Sequence, residues 1–159
     1  MSKERNEIEM THVWNKEKTN ALKDFILSHS ERQSKERRLK NELLAIQYQI
    51  EDYIEDRSTD KNIKILDFVK MYLAVFEITQ KKLANLFEMQ DSNLHKYLTG
   101  ERRLNTDVLL KLSSFSHTEP EYWLRIEIKN ELFEITREKN MISAYKKYNY
   151  QNLLATEIQ

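Results

Sequence analysis

The stretch TQKKLANLFEMQDSNLHKYLTG, residues 79–100, decides how this chain folds. Thr79 is a good N-cap, and Leu83, Ala84 and Phe87 then recur at spacings that share one helical face. Glu88, Met89 and Gln90 break that rhythm. Asp91, another N-cap type, opens a second run in which Leu94, Tyr97 and Leu98 form the buried stripe. Ser92, Asn93, His95 and Lys96 are left facing outward. Gly100 ends the run where a left-handed residue commonly stops a helix, and it is the single glycine of the 159 residues. Ala84 is small enough to let the two helices cross closely.

Downstream, Glu101-Arg102-Arg103 reads as a loop. Thr106 or Asn105 caps the next helix, which bears Val108, Leu109 and Leu112. Thr118 caps a last one, with Pro120 in its first turn, where a missing N–H costs nothing. That helix holds Tyr122, Trp123, Ile126, Ile128, Leu132, Phe133 and Ile135, which cover more than one face, so it is expected to touch two neighbours. Upstream, Ile65, Phe68, Val69, Tyr72 and Phe76 give an amphipathic helix leading directly into the 79–100 unit.

Further upstream the spacing predicts two helices. The first, about 16–28, carries Leu22, Phe25 and Ile26, and Ser30 with Gln33 forms a capping box for the second. Leu39, Leu43, Ile46, Ile50 and Tyr53 then follow one another at four, three, four and three residues, the heptad spacing that keeps apolar knobs on a partner. The partner is either the protein's own domain or a second copy. Residues 32–40 hold five basic side chains and one acidic, and residues 51–60 five acidic and one basic, the reverse of what the helix dipole favours. An antiparallel copy of the helix would compensate both ends. Residues 1–15 read as loose, or docked only through Val13 and Trp14.

Composition narrows the class. One glycine and one proline are too few turn residues for a many-stranded sheet, and 33% charged residues suit an all-α fold in water. No apolar run is long enough to span a bilayer or act as a signal peptide, so a cytoplasmic location without membrane contact is expected. Without cysteine there are no disulfides or thiolate chemistry. His12, His29, His95 and His117 are scattered, so no metal site is expected, and one glycine rules out a glycine-rich phosphate loop. No cofactor and no enzymatic activity are anticipated. Net charge is zero, and residues 79–111 hold six basic against four acidic side chains, so one copy would bind nucleic acid weakly.

Two short helices, a tight turn and a glycine stop form the pattern of a helix-turn-helix, whose second helix fits the DNA major groove. The run from Thr79 through GERRLNTDVLLKLSSFSHTEPEYWLRIEIKNELFEI resembles the lambda-repressor-like, XRE-type DNA-binding domain. Its EYWLRIEIKNELF segment is similar to the end of the HigA-type antitoxins. The likeness covers roughly residues 63–135. Glu88 stands where the family usually has a glycine in the turn.

The resemblance implies a helix-turn-helix domain of about five helices at 61–139, with an N-terminal helical extension at 1–60 and a C-terminal tail at 140–159. It also implies a transcriptional regulator of double-stranded DNA, an antitoxin that represses its own operon and binds a small ribonuclease toxin. By resemblance Ser92 and Lys96 match base-reading positions, with Asn93 beside them, and Gln80, Thr99, Arg102 and Arg103 would hold phosphates. Asp91 is either the N-cap or an acceptor for cytosine N4. A homodimer is expected, with Leu39, Leu43, Ile46, Ile50, Tyr53 and Trp123 as its contacts or as those of a partner. The alternative is a protein-interaction module that keeps the fold without DNA. In the tail, Tyr145, Lys146, Lys147, Tyr148 and Tyr150 alternate bases and aromatics, a mix suited to stacking or docking.

Overall fold

The computed structural model describes residues 2–58 and 61–157, with side chains over 16–58, 61–138 and 141–155. Its regular elements are all helices: α1 (Ser2–Glu55), α2 (Ile65–Phe76), α3 (Gln80–Leu86), α4 (Asp91–Thr99), α5 (Thr106–Ser116), α6 (Pro120–Arg137), α7 (Lys139–Tyr145), a 3-10 turn (Lys146–Tyr148) and α8 (Tyr150–Glu157). No strand occurs among the described residues.

The two helices and loose start expected before residue 55 are instead the single helix α1. Its sequence holds no glycine or proline, so nothing obliges the chain to leave the helix at Ser30, and the anticipated capping box is spanned. Val13 and Trp14, the expected anchor, lie outside the described side chains. The chain divides into two compact units, Met1–Glu42 and Leu43–Gln159. In the first unit Leu22, Phe25, Ile26 and Leu27 are exposed, and Phe25 stacks on His29 one turn away.

The second unit carries the core. Ile46, Ile50 and Tyr53 of α1 are buried together with Phe68, Val69 and Tyr72 of α2, Leu83 and Ala84 of α3, Leu94 and Leu98 of α4, Val108 and Leu112 of α5, and Trp123 and Ile126 of α6. The lower part of the heptad seam therefore packs on the protein's own domain. Leu43 is half-buried against that core and Leu39 is exposed. The buried aromatics keep their polar ends satisfied: the Trp123 indole N–H donates to Ser116 Oγ at 3.1 Å, and the Tyr72 hydroxyl bonds Thr118 Oγ1 at 3.2 Å. Thr118 is thus a core partner of Tyr72 and not the cap of α6, whose N-cap is Glu119 with Pro120 next.

The C-terminal carbonyls of α1 are met by a cation of its own chain. Lys129 of α6 directs its ammonium at the carbonyls of Tyr53 and Asp56 and lies 4.2 Å from the centre of the Tyr53 ring. A cation at a helix C-terminus opposes the macrodipole, which no basic residue in the last turn of α1 can do. The Tyr53 hydroxyl in turn donates to Asn130 Oδ1 and accepts from the Ile63 N–H, tying the α1–α2 connection to α6. Lys129→Met retains the stem but removes the charge, and is expected to cost about 1–2 kcal/mol. Urea unfolding of the variant checks this, and an unchanged midpoint would mean that the ammonium is no cap.

Four helices in this unit end on left-handed residues, and only one of those residues is glycine. Glu77, Glu88 and His117 have φ of 55°, 55° and 52°, and Gly100 has 84°. After α3 the Met89 N–H bonds the Ala84 carbonyl at 3.0 Å and the Glu88 N–H the Asn85 carbonyl at 3.1 Å, the paired closure of a Schellman stop. Glu88 therefore adopts the conformation for which the resembled family uses glycine, at a cost of about 1–2 kcal/mol for a residue with a Cβ. Glu88→Gly should relieve that strain less its own loss of chain entropy, raising stability by up to about 1 kcal/mol. A lower urea midpoint for the variant would show that the Glu88 side chain contributes more than the strain removes.

Candidate nucleic-acid interface

Around residues 79–100 the local signals act largely as read. Thr79 Oγ1 accepts the Lys82 N–H at 3.2 Å and starts α3, and Asn105, not Thr106, caps α5 by accepting the Val108 N–H at 2.8 Å. In α4, Leu94 and Leu98 are fully buried and Tyr97 half-buried, so the opposite side is left to Ser92, Asn93, His95 and Lys96. Ser92 and His95 are exposed; Asn93 and Lys96 are half-exposed. No side-chain hydrogen bond or ion pair engages Ser92, Asn93 or Lys96 among the described residues.

Asp91 is not the N-cap it was expected to be. The N-cap of α4 is Gln90, and the Asp91 carboxylate instead accepts from the Gln80 amide at 2.7 Å. The same amide nitrogen lies 3.4 Å from His95 Nδ1. Gln80, a predicted phosphate contact, thus links the start of α3 to the first turns of α4.

The two arginines of the loop after α4 part company. Arg102 is exposed, with its guanidinium 5.3 Å from the centre of the Tyr97 ring, a cation–π placement that holds the charge beside α4. Arg103 is committed to α6: its Nε and Nη2 donate to the two oxygens of Glu131 at 2.8 and 2.7 Å, and Glu127 lies 3.9 Å away. This fork holds the guanidinium pKa above its ordinary value. Arg103 thus ties the loop to α6, while its side chain, the second expected phosphate contact, stays 76% exposed. Burial pushes the Glu127 carboxyl up, opposed by the Leu104 N–H that it accepts at 2.9 Å. Thr99 Oγ1 donates to the Lys96 carbonyl at 3.3 Å and is half-buried.

No family model, curated protein or solved structure matches this chain. The group around α4 is Gln80, Ser92, Asn93, His95, Lys96 and Arg102: hydrogen-bonding side chains and two cations, with Asp91 already engaged by Gln80 and the exposed Glu88 and Glu101 flanking the helix. A helix of this width with donors at its exposed turns suits the edges of base pairs, and the cations suit phosphates.

The other expected contacts lie elsewhere. Trp123 is 0% exposed, as is Ile50, while Ile46 and Tyr53 are at 4%, so four of the six residues named for a dimer or partner are interior to the protein's own fold. Their apolar spacing reported burial correctly but could not say against what. The same ambiguity applied to α6, where the outward apolar residues are Leu124, Ile128, Leu132 and Ile135. Among the described residues no cluster of His, Cys, Asp and Glu could hold a metal ion, and no helix is long and apolar enough to cross a membrane.

Proposed function

We propose that this chain is a sequence-specific DNA-binding regulator whose helix-turn-helix is α3 and α4, in a lambda-repressor-like domain, and that it acts as an antitoxin repressing its own operon. The observation that carries the DNA reading is the unengaged polar side of α4, with Ser92, Asn93 and Lys96 free among the described residues. In this reading Lys96 donates to guanine O6 or N7, Ser92 and Asn93 contact neighbouring base edges, and Gln80 and Arg102 hold phosphates. The antitoxin role, with a small ribonuclease as partner, rests on the resemblance of residues 63–135. Glu88 in the left-handed conformation supports that resemblance at the position where the sequence departs from it.

The weak local charge requires two copies, because one recognition helix supplies few contacts while two, set about one DNA turn apart, add their binding energies. Selection of bound duplexes from a random pool by the full-length protein tests the proposal. A recovered motif with two half-sites about 10 bp apart is the expected result; recovery of no motif at low salt contradicts it.

A second reading, an interaction module of the same fold without DNA contact, is favoured by the Arg103–Glu131 pair, which engages one cation beside the interface, and by the exposed apolar side of α6. On this reading the selection fails while a protein partner is still bound.

A further inference from the structure

A trench of about 420 Å³ opens between the C-terminal end of α1 and the outer side of α6. Its floor is apolar, made by Ile54, Ile128, Leu132 and Phe133. Ile128 and Leu132 are 45% and 55% exposed, and Leu124, one turn before them, is 40% exposed, so α6 presents an apolar row at i, i+4 and i+8. That row lies on the side of α6 opposite Trp123 and Ile126, which are already consumed by the core. Among the described lining residues the rim carries Arg57, Lys61, Arg125 and Lys129 and the acid Asp56.

The charges differ in how firmly they are held. The Asp56 carboxylate accepts from the Ser58 N–H at 2.9 Å and the Ser58 hydroxyl at 3.0 Å, so it is already satisfied within its own turn. Lys129 is fixed on the α1 carbonyls and lends the trench a positive end. Arg125 pairs with Glu121 at 2.6 Å, but both are more than half-exposed, and such pairs exchange readily for a better acceptor. Arg57 and Lys61 are exposed, with no ion pair among the described residues.

An apolar row with a basic rim selects its occupant by charge. We propose that this trench docks an acidic amphipathic helix of a protein partner, whose apolar residues at i, i+3 and i+4 seat on Ile128, Leu132 and Phe133 while its carboxylates meet Arg57, Lys61 and Arg125. Nucleic acid would leave the apolar floor unused, and a basic helix would set like charges together at the rim. Docking here is independent of what α4 contacts.

Two fluorescent peptides with the same leucine pattern, one bearing glutamates on its polar face and the other lysines, are titrated with the full-length protein and read by anisotropy. The acidic peptide is expected to saturate at least about tenfold more tightly than the basic one and to weaken as salt rises. The doubly reversed surface variant Arg57→Glu/Lys61→Glu, checked by circular dichroism for an unchanged fold, should lose at least about tenfold in affinity for it. Equal binding of the two peptides, no saturation, or an unaffected double variant overturns the proposal. So does either alternative occupant: sedimentation with anionic vesicles in the absence of peptide binding, or a dimer that Leu132→Asp dissociates and the acidic peptide does not disturb.

Discussion

Trp123→Ala is expected to lower the stability of the Leu43–Gln159 unit by about 3–5 kcal/mol. The indole is fully buried, lies 6.1 Å from the Tyr72 ring centre, and donates to Ser116 Oγ, whose own hydroxyl donates to the Leu112 carbonyl at 2.7 Å. Truncation leaves a cavity between α2, α5 and α6 and strips Ser116 of its donor, and both costs fall on the folded state. Against a total of about 5–15 kcal/mol for a domain, a loss of this size takes a third or more of the stability. Denaturant unfolding followed by circular dichroism measures it. A variant that melts like the parent but no longer binds a partner would restore Trp123 to an interface, where its sequence position alone had suggested it.

The second large effect concerns the proposed DNA contacts. If α4 reads bases as proposed, Lys96→Ala should cost about 1–3 kcal/mol on the preferred duplex and relax the base preference at one position in each half-site. Arg102→Ala should weaken binding to every duplex alike and reduce the slope of log affinity against log salt by about one unit. Arg103→Ala should do less than Arg102→Ala, since phosphate would first have to displace the bidentate Glu131 carboxylate from its guanidinium. Quantitative gel shifts across a salt series separate the three. Equal, sequence-independent losses at Lys96 and Arg102 would place Lys96 on phosphate instead of base.

Much of the region from α2 to α6 was legible because its boundaries are local chemistry. Thr79 and Asn105 are capping types followed by apolar periodicity, Pro120 opens a helix, and Gly100 closes one, and each acts within a few residues of itself. The break at Glu88 was legible as a loss of apolar rhythm, but the left-handed conformation at Glu77, Glu88 and His117 was not, since residues with a Cβ carry no sequence mark of it. They are fixed by backbone closures onto Leu73, Ala84 and Ser113, and by the full or partial burial of Ile78, Met89 and Thr118 immediately after them. The unbroken α1 was missed for the opposite reason: Ser30 and Gln33 offered a start signal, but no residue supplied a stop before it.

Long-range pairings were the least accessible. Heptad spacing announced that Ile46, Ile50 and Tyr53 would be covered, yet period alone does not distinguish a second copy from the protein's own α2 and α6. Lys129 on the α1 carbonyls and Arg103 on Glu131 join residues 76 and 28 positions apart. Neither spacing has a periodic signature, so the cation that α6 sets on the last carbonyls of α1 could not be read from the sequence. In α4 the buried stripe follows from spacing, whereas the Gln80–Asp91 bond depends on how α3 and α4 cross and changes the assignment of Asp91.

Contact between the polar side of α4 and base edges in duplex DNA is tested most directly by backbone amide chemical shifts of the full-length protein, recorded as the selected duplex is added. The largest changes are expected along Asp91–Thr99 and at Gln80 and Arg102, with unrelated duplex of equal length shifting Arg102 but leaving Ser92, Asn93 and Lys96 nearly in place. Shifts confined to α1 or to the outer side of α6, with α4 unmoved at saturating duplex, would contradict it.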